Sequence, residues 1–158
     1  MDRLWSPWRH EYVTRGETSS DCIFCQKQAD LVVFDGGTAC VILNLYPYNT
    51  GHVMVVPHRH VATLGDLTAA ELAEIGVLTQ RAEAALTEAY RPHGLNVGIN
   101  LGKSAGAGIL EHLHVHVVPR WSGDTNFMTV VGEARVLSEE LGATAARLRP
   151  IFERLASG

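Results

Sequence analysis

From residue 112 to residue 117 the chain alternates strictly between polar and apolar. His112, His114 and His116 take one parity, Leu113, Val115 and Val117 the other. A period of two belongs to a half-buried strand. The apolar set then faces a core, and the imidazoles share the opposite face at intervals of about 7 Å. Pro119 brings no N–H to a sheet ladder, so the strand is expected to end there. Two β-rich runs lie upstream, Leu31 to Phe34 and Ala39 to Leu45. Asp35-Gly36-Gly37 between them predicts a hairpin turn. Tyr46 to Gly51 is a loop by composition, and His52 to Val56 reads as a strand stopped by Pro57.

The period becomes helical over Asp66 to Tyr90. Leu72, Ile75, Leu78, Ala82 and Leu86 recur at helical spacing, and Thr68 with Glu71 fits a capping box. Pro92 and Gly94 end the pattern. Leu95 to Leu101 returns to strand, and Gly102 to Gly108 is a glycine-rich loop carrying Lys103 and Ser104. From about Ser138 the tail is helical, with Pro150 expected to break or kink it. Strands, a long helix, strands and a final helix make an α+β chain with an antiparallel sheet. Residues 21–158 are expected to form one domain. Residues 1–20 are read as an arm that docks through Trp5 and Trp8.

Composition narrows the function classes. A chain of 158 residues, 46% of them hydrophobic, is long enough to bury a core. Its longest apolar run, Ala39 to Leu43, is too short to span a bilayer, and the N-terminus lacks the apolar core of a signal peptide. These features point to a cytoplasmic protein with no membrane partner. A net charge of −4 gives no electrostatic case for a nucleic-acid partner. Of the three cysteines, Cys40 sits in an apolar run and reads as a small buried hydrophobe. Cys22 and Cys25 form Cys-x-x-Cys.

Three imidazoles on one face suit two chemistries. As zinc ligands they would generate hydroxide from water. As a nucleophile, a neutral imidazole attacks phosphorus and splits one displacement into two, with its neighbours on the phosphate oxygens and the leaving group. The glycine-rich loop favours the second, because glycine backbone N–H groups approach anions closely. Lys103 and Arg120 add candidate positive charge.

His112-Leu-His-Val-His-Val-Val118 matches His-φ-His-φ-His-φ-φ, with φ apolar, and so resembles the signature of the histidine-triad (HIT) superfamily. The segments Asn44 to Pro57 and Gly94 to Asn100 resemble two further blocks of that family in the right order. The likeness runs from about Cys22 to Arg120. Leu4 to Trp8 and Trp121 to Met128 look like a bacterial branch similar to diadenosine tetraphosphate phosphorylases. The resemblance implies a five-stranded antiparallel sheet with one long helix and a C-terminal helix, in a homodimer. It also implies transfer or hydrolysis of nucleotidyl groups through a nucleotidyl-histidine intermediate. By motif position His114 is the nucleophile, flanked by His112 and His116, with His52 near the phosphates. Asn44 matches the ribose position, Ile23, Phe24, Leu43 and Leu45 the walls around the base, and Asn100 and Gly108 the loop beside the phosphates. One departure stands out. Many relatives carry Gln followed by Ser or Thr before the first triad histidine. Ala105 to Glu111 has neither, leaving backbone N–H groups or Ser104 as donors.

The resemblance also bears on the cysteine pair. Some bacterial HIT proteins use it with two histidines, here His60, with His58 as rival, and His112. Two thiolates and two imidazoles close a tetrahedral shell, so zinc there is structural. For His114 to attack, Nε2 must be unprotonated, and an acceptor must hold the Nδ1 proton. The carbonyl of His112 is the expected acceptor. The leading reading is cleavage of an adenosine dinucleoside polyphosphate, with no organic cofactor and with phosphate or water as acceptor. Three other readings stand beside it: a nucleoside phosphoramidase-like hydrolase, a nucleotide-binding signalling module and a zinc-dependent hydrolase.

Overall fold

The computed structural model describes residues 22–124 and 139–158. The proposed N-terminal arm and the end of the Trp121–Met128 segment lie outside them. Five antiparallel strands form one sheet in the order β1-β2-β3-β5-β4: β1 Val32–Asp35, β2 Ala39–Leu43, β3 Val53–Pro57, β4 Gly94–Ile99 and β5 Val115–Arg120. Two long helices accompany it, α1 Ala69–Tyr90 and α2 Leu141–Ser157. The α+β expectation is met.

Alternation along the strands sorts the side chains into two layers. Val41, Val53, Val55, Val115 and Val117 pack with Leu78, Leu86, Leu148 and Phe152 of the helices into the main core. Cys40, Ile42, Met54 and Val56 point the other way and pack with Cys22, Phe24 and Ile109. The second layer is where the histidines lie.

Several boundaries differ from expectation for physical reasons. Leu64–Asp66 forms a separate 3-10 turn, and α1 starts only after Thr68, whose side chain accepts from the Glu71 N–H while the Glu71 carboxylate accepts from the Thr68 N–H. Glu71 occupies the inward position one turn before Ile75, so Leu72 is half exposed rather than core. The helix ends at Arg91, which takes the left-handed conformation. α2 runs through Pro150 without a break. A mid-helix proline costs roughly 3 kcal/mol. Here Leu148 and Phe152, both fully buried on either side of it, hold one apolar face together, with Phe152 stacked on Phe34.

β5 also departs from expectation at both ends. It continues through Pro119 to Arg120. Arg120 accepts from the His93 N–H, so its peptide groups face β4; Pro119 then faces the opposite side, where pairing with β3 has ended at Val117. No ladder N–H is needed there, and the Pro119 carbonyl accepts from the Asn49 side chain at 3.0 Å. At the other end the ladder begins only at Val115, opposite Val55 and Ile99. His112 and His114 therefore precede the strand, although their parity is kept.

Candidate active site

A cavity of about 370 Å³ opens beside the start of β5. Eight residues anticipated from the sequence line it: Ile23, Phe24, Leu43, Asn44, Leu45, Gly108, His114 and His116. The expectation of an exposed histidine face is corrected. His112 and His114 are buried, because the Cys22–Gln28 segment folds over them and Phe24 lies 5.4 and 5.0 Å from their rings.

The hydrogen-bond network fixes the protons on the imidazoles beside the cavity. His114 Nδ1 lies 2.9 Å from the His112 carbonyl. A carbonyl only accepts, so Nδ1 carries the proton and Nε2 keeps its lone pair. Burial lowers the proton affinity of His114 below that of an ordinary imidazole, partly offset by that bond. The second assignment starts from a backbone group. The Tyr48 N–H donates to His52 Nδ1 at 3.0 Å, which makes Nδ1 an acceptor and puts the His52 proton on Nε2. His52 Nε2 lies 3.0 Å from His116 Nδ1 and donates to it. His116 in turn carries its own proton on Nε2. Its ring stands edge-on to His114, centroids 4.8 Å apart. The site therefore sets a lone pair next to an N–H donor.

His52 is not itself among the cavity-lining residues; it is buried behind His116. Asn44 Oδ1 accepts from the Tyr46 N–H at 2.9 Å, which turns Nδ2 toward His52. Asn100 follows β4, and Ser104 sits exposed in the 3-10 turn Lys103–Ala105; neither lines the cavity. The glycine-rich loop offers fewer amides than expected. Gly102 and Gly106 have positive φ, and the N–H groups of Ala105, Gly106 and Ala107 close back onto carbonyls of Gly102 and Lys103. Arg120 gives no free charge either, since its guanidinium is held by Asp124 at 2.6 and 2.8 Å and by Asn96. Among the described residues, the cavity lining contains no Lys, Arg, Asp or Glu.

Behind this wall the structure brings Cys22, Cys25, His60 and His112 together. His112 Nδ1 lies 3.4 Å from Cys22 Sγ and 3.6 Å from Cys25 Sγ, and His60 Nδ1 lies 3.3 Å from Cys25 Sγ. Zinc bonds of about 2.3 Å to sulfur and 2.0–2.1 Å to nitrogen put tetrahedral corners about 3.3–3.8 Å apart. The donor set fits zinc. His112 Nε2 lies 2.8 Å from the Pro57 carbonyl, so its proton is there and Nδ1 is left for a metal. His58, the rival of His60, instead faces Lys27 and Gly36. The loop carrying His60 is tied to α1 by Arg59, which bonds both Glu71 oxygens at 2.9 and 2.7 Å. That bond, with the Thr68 N–H, holds the Glu71 carboxyl down at about 2.

Similarity to known proteins agrees with this geometry. The HIT domain family profile matches residues 26–123. The chain is 45% identical to the AP-4-A phosphorylase of Mycobacterium tuberculosis, over 98% of this chain and 86% of that one. It is 31% identical to a bis(5'-adenosyl)-triphosphatase of Dictyostelium discoideum, over 77% and 85% respectively. The crystal structure of a Zn-bound histidine triad family protein from Mycobacterium smegmatis superposes with a TM-score of 0.71 at 27% identity, covering 89% of this chain and 99% of that one. The chain belongs to the HIT family. It is an enzyme of the family's nucleotide hydrolase and transferase class.

Within this HIT site, sequence reasoning missed several residues. Gln26, Gln28, Leu31, Met54, Tyr46, Tyr48 and Ile109 also line the cavity. Tyr48 matters most. Its ring lies 4.8 Å from His52 and 5.8 Å from His116, and its N–H starts the proton assignment. The only signal in the sequence was its place four residues before His52, in a segment that composition reads as loop.

Proposed function

We propose that this HIT enzyme cleaves a dinucleoside polyphosphate of the diadenosine tetraphosphate type, with inorganic phosphate as acceptor. His114 Nε2 attacks the α-phosphorus, the P–O bond to the polyphosphate breaks, and a nucleotidyl-histidine forms that keeps its proton on Nδ1. Phosphate then attacks the same phosphorus and releases neutral His114. The products are ATP and ADP.

The observation that carries this reading is the relay from Tyr48 through His52 to His116. It makes His116 a neutral N–H donor. Such a group stabilises an oxyanion but is too weak an acid to surrender its proton. A departing polyphosphate needs only that, because it is stable as an anion near neutral pH. The amine leaving group of a phosphoramidate must be protonated to depart, so the arrangement disfavours the phosphoramidase reading. The same logic favours phosphate over water. Water needs a base, and the described lining residues include no carboxylate, while the His116 Nδ1 lone pair is committed to His52. Phosphate arrives already ionised. His114 on a backbone carbonyl, away from the cysteine cluster, counts against a zinc hydrolase.

The test is to incubate the enzyme with diadenosine tetraphosphate in the presence and absence of phosphate. Equal ADP and ATP with phosphate, and little AMP without it, is the expected result. AMP plus ATP at the same rate in both would replace phosphorolysis by hydrolysis. Absence of turnover on any dinucleotide would leave a binding module.

We further infer that Cys22, Cys25, His60 and His112 hold a structural zinc. Within the proposed roles, Asn44 serves the ribose, and Ile23, Phe24, Leu43 and Leu45 the base, supported by their place around the cavity. Gly108 fits beside the phosphates; Asn100 and Ser104 would have to approach them on substrate binding. A cytoplasmic setting suits three cysteines that form no disulfide, and no described helix is long and apolar enough to cross a membrane. Residues 21–158 are proposed as one HIT domain. A homodimer is supported by the edge strand β4, whose Val97 is 53% exposed. Light scattering is expected to give twice the chain mass of 17.2 kDa; a monomer would remove this part of the reading.

A further inference from the structure

A second set of metal-type donors lies at the turn of the β1–β2 hairpin. Asp35 and Cys40 are direct cross-strand partners there, so their side chains share a face. His58 follows β3 and extends the pairing, its N–H donating to the Thr38 carbonyl at 2.8 Å. Three adjacent strands thus converge a carboxylate, a thiol and an imidazole. One donor atom from each falls within 4.8 Å of the others.

A cation already occupies this place. Lys27 Nζ lies 2.9 Å from His58 Nδ1 and 3.2 Å from Asp35 Oδ1, and its charge favours the thiolate form of Cys40. An ammonium only donates, so His58 Nδ1 must offer a lone pair toward it. The His58 proton is then on Nε2, 3.1 Å from the Gly36 carbonyl. A backbone acceptor on one ring nitrogen and a lone pair on the other is the arrangement of a metal-bound histidine. The Lys27 side chain is 27% exposed and has open solvent to swing into.

We propose that Asp35, Cys40 and His58 form a second, weaker site for a divalent cation of the zinc class, with the Lys27 ammonium as its place-holder. On binding, the Cys40 S–H bond breaks, its proton goes to solvent, and a sulfur–metal bond forms. Lys27 leaves still protonated. Thiolate, carboxylate and neutral imidazole balance the ion's charge, and a water completes four-coordination. The site is weaker than the Cys22 cluster because it has one ligand fewer, because burial pushes the Cys40 thiol up, and because an ammonium must be displaced. This site does not depend on the nucleotide chemistry proposed above.

The test is a calorimetric titration of zinc into the protein as purified, with total metal counted before and after. One further equivalent is expected, with about one proton released per ion. His58→Gln and the exposed Asp35→Asn should each remove that equivalent while leaving tightly held zinc and the melting temperature unchanged. Lys27→Met should tighten it by on the order of tenfold, the effect of relieving about 1.4 kcal/mol of competition. Two outcomes would overturn the proposal. One is no additional equivalent in either wild type or Lys27→Met. The other is an additional equivalent that survives in both His58→Gln and Asp35→Asn, which would mark adventitious surface binding.

Discussion

Replacing His114 by alanine is expected to lower turnover by about 10⁴-fold or more, the scale found when a nucleophile is removed from a covalent mechanism. Nucleotide affinity and the melting temperature should change little. The argument is one of position. His114 lines the cavity, its Nδ1 proton is held 2.9 Å away by the His112 carbonyl, and burial keeps the ring neutral. Its Nε2 lone pair is the nucleophile of the proposed reaction. Ile23, Phe24, Leu43 and Leu45, the proposed contacts to the base, line the same cavity, and the substitution leaves them in place. Intact-mass measurement after rapid quench sharpens the test. Wild type without phosphate should accumulate a nucleotidylated chain and release one equivalent of ATP; His114→Ala should do neither. Because alanine removes a buried ring packed on Phe24, His114→Gln serves as a second variant that fills the space without a nucleophilic nitrogen. A near-normal rate in either variant would exclude covalent catalysis by this residue.

How legible was this site in advance? The facing of β5 was, because parity survives even where pairing does not. Leu113, Val115 and Val117 do enter the core. Pairing was not legible, since it depends on where the ladders to β3 and β4 stop, at Val55 and Ile99. A period of two reports which way side chains point and is silent on who bonds to the backbone. The Nδ1 acceptor was anticipated for a local reason: the His112 carbonyl is two residues from the ring it holds. Burial of the histidines was not, because its cause is the Cys22–Gln28 segment, about ninety positions away in sequence. The same holds for Tyr48, whose contribution is a backbone N–H that any residue type except proline would carry. The glycine-rich loop misled for the opposite reason. Glycine permits positive φ, and here the chain used that freedom at Gly102 and Gly106 to bond to itself. Composition signalled the freedom without its use.

Freshly purified protein is expected to hold about one tightly bound zinc per chain, and Cys22→Ser is expected to lose it. Cys22 is fully buried, with its sulfur 3.4 Å from His112 Nδ1. A serine hydroxyl stays protonated at neutral pH and is a poor substitute for a thiolate, so the shell is left with three ligands. Those ligands come from three separate segments, the Cys22–Cys25 turn, the loop carrying His60 and the stretch carrying His112, with Phe24 packed edge-on to the His112 ring. Losing the clamp should cost about 3 kcal/mol, a fall of roughly 10 °C in Tm for a chain of this size. The chemical step should suffer less. His112 keeps its bond from Nε2 to the Pro57 carbonyl, so its own carbonyl still faces His114 Nδ1, though less firmly. A drop in kcat of on the order of tenfold, the lower range for supports behind a functional group, is expected, with nucleotidylated protein still detectable by mass. That split separates a buttress from a catalyst. If Cys22→Ser lost the covalent intermediate altogether while its fold persisted, the metal cluster would belong to the chemistry. If wild-type protein carried no zinc at all, the structural site would be gone, and the four side chains would be a thiol–imidazole cluster held by hydrogen bonds alone.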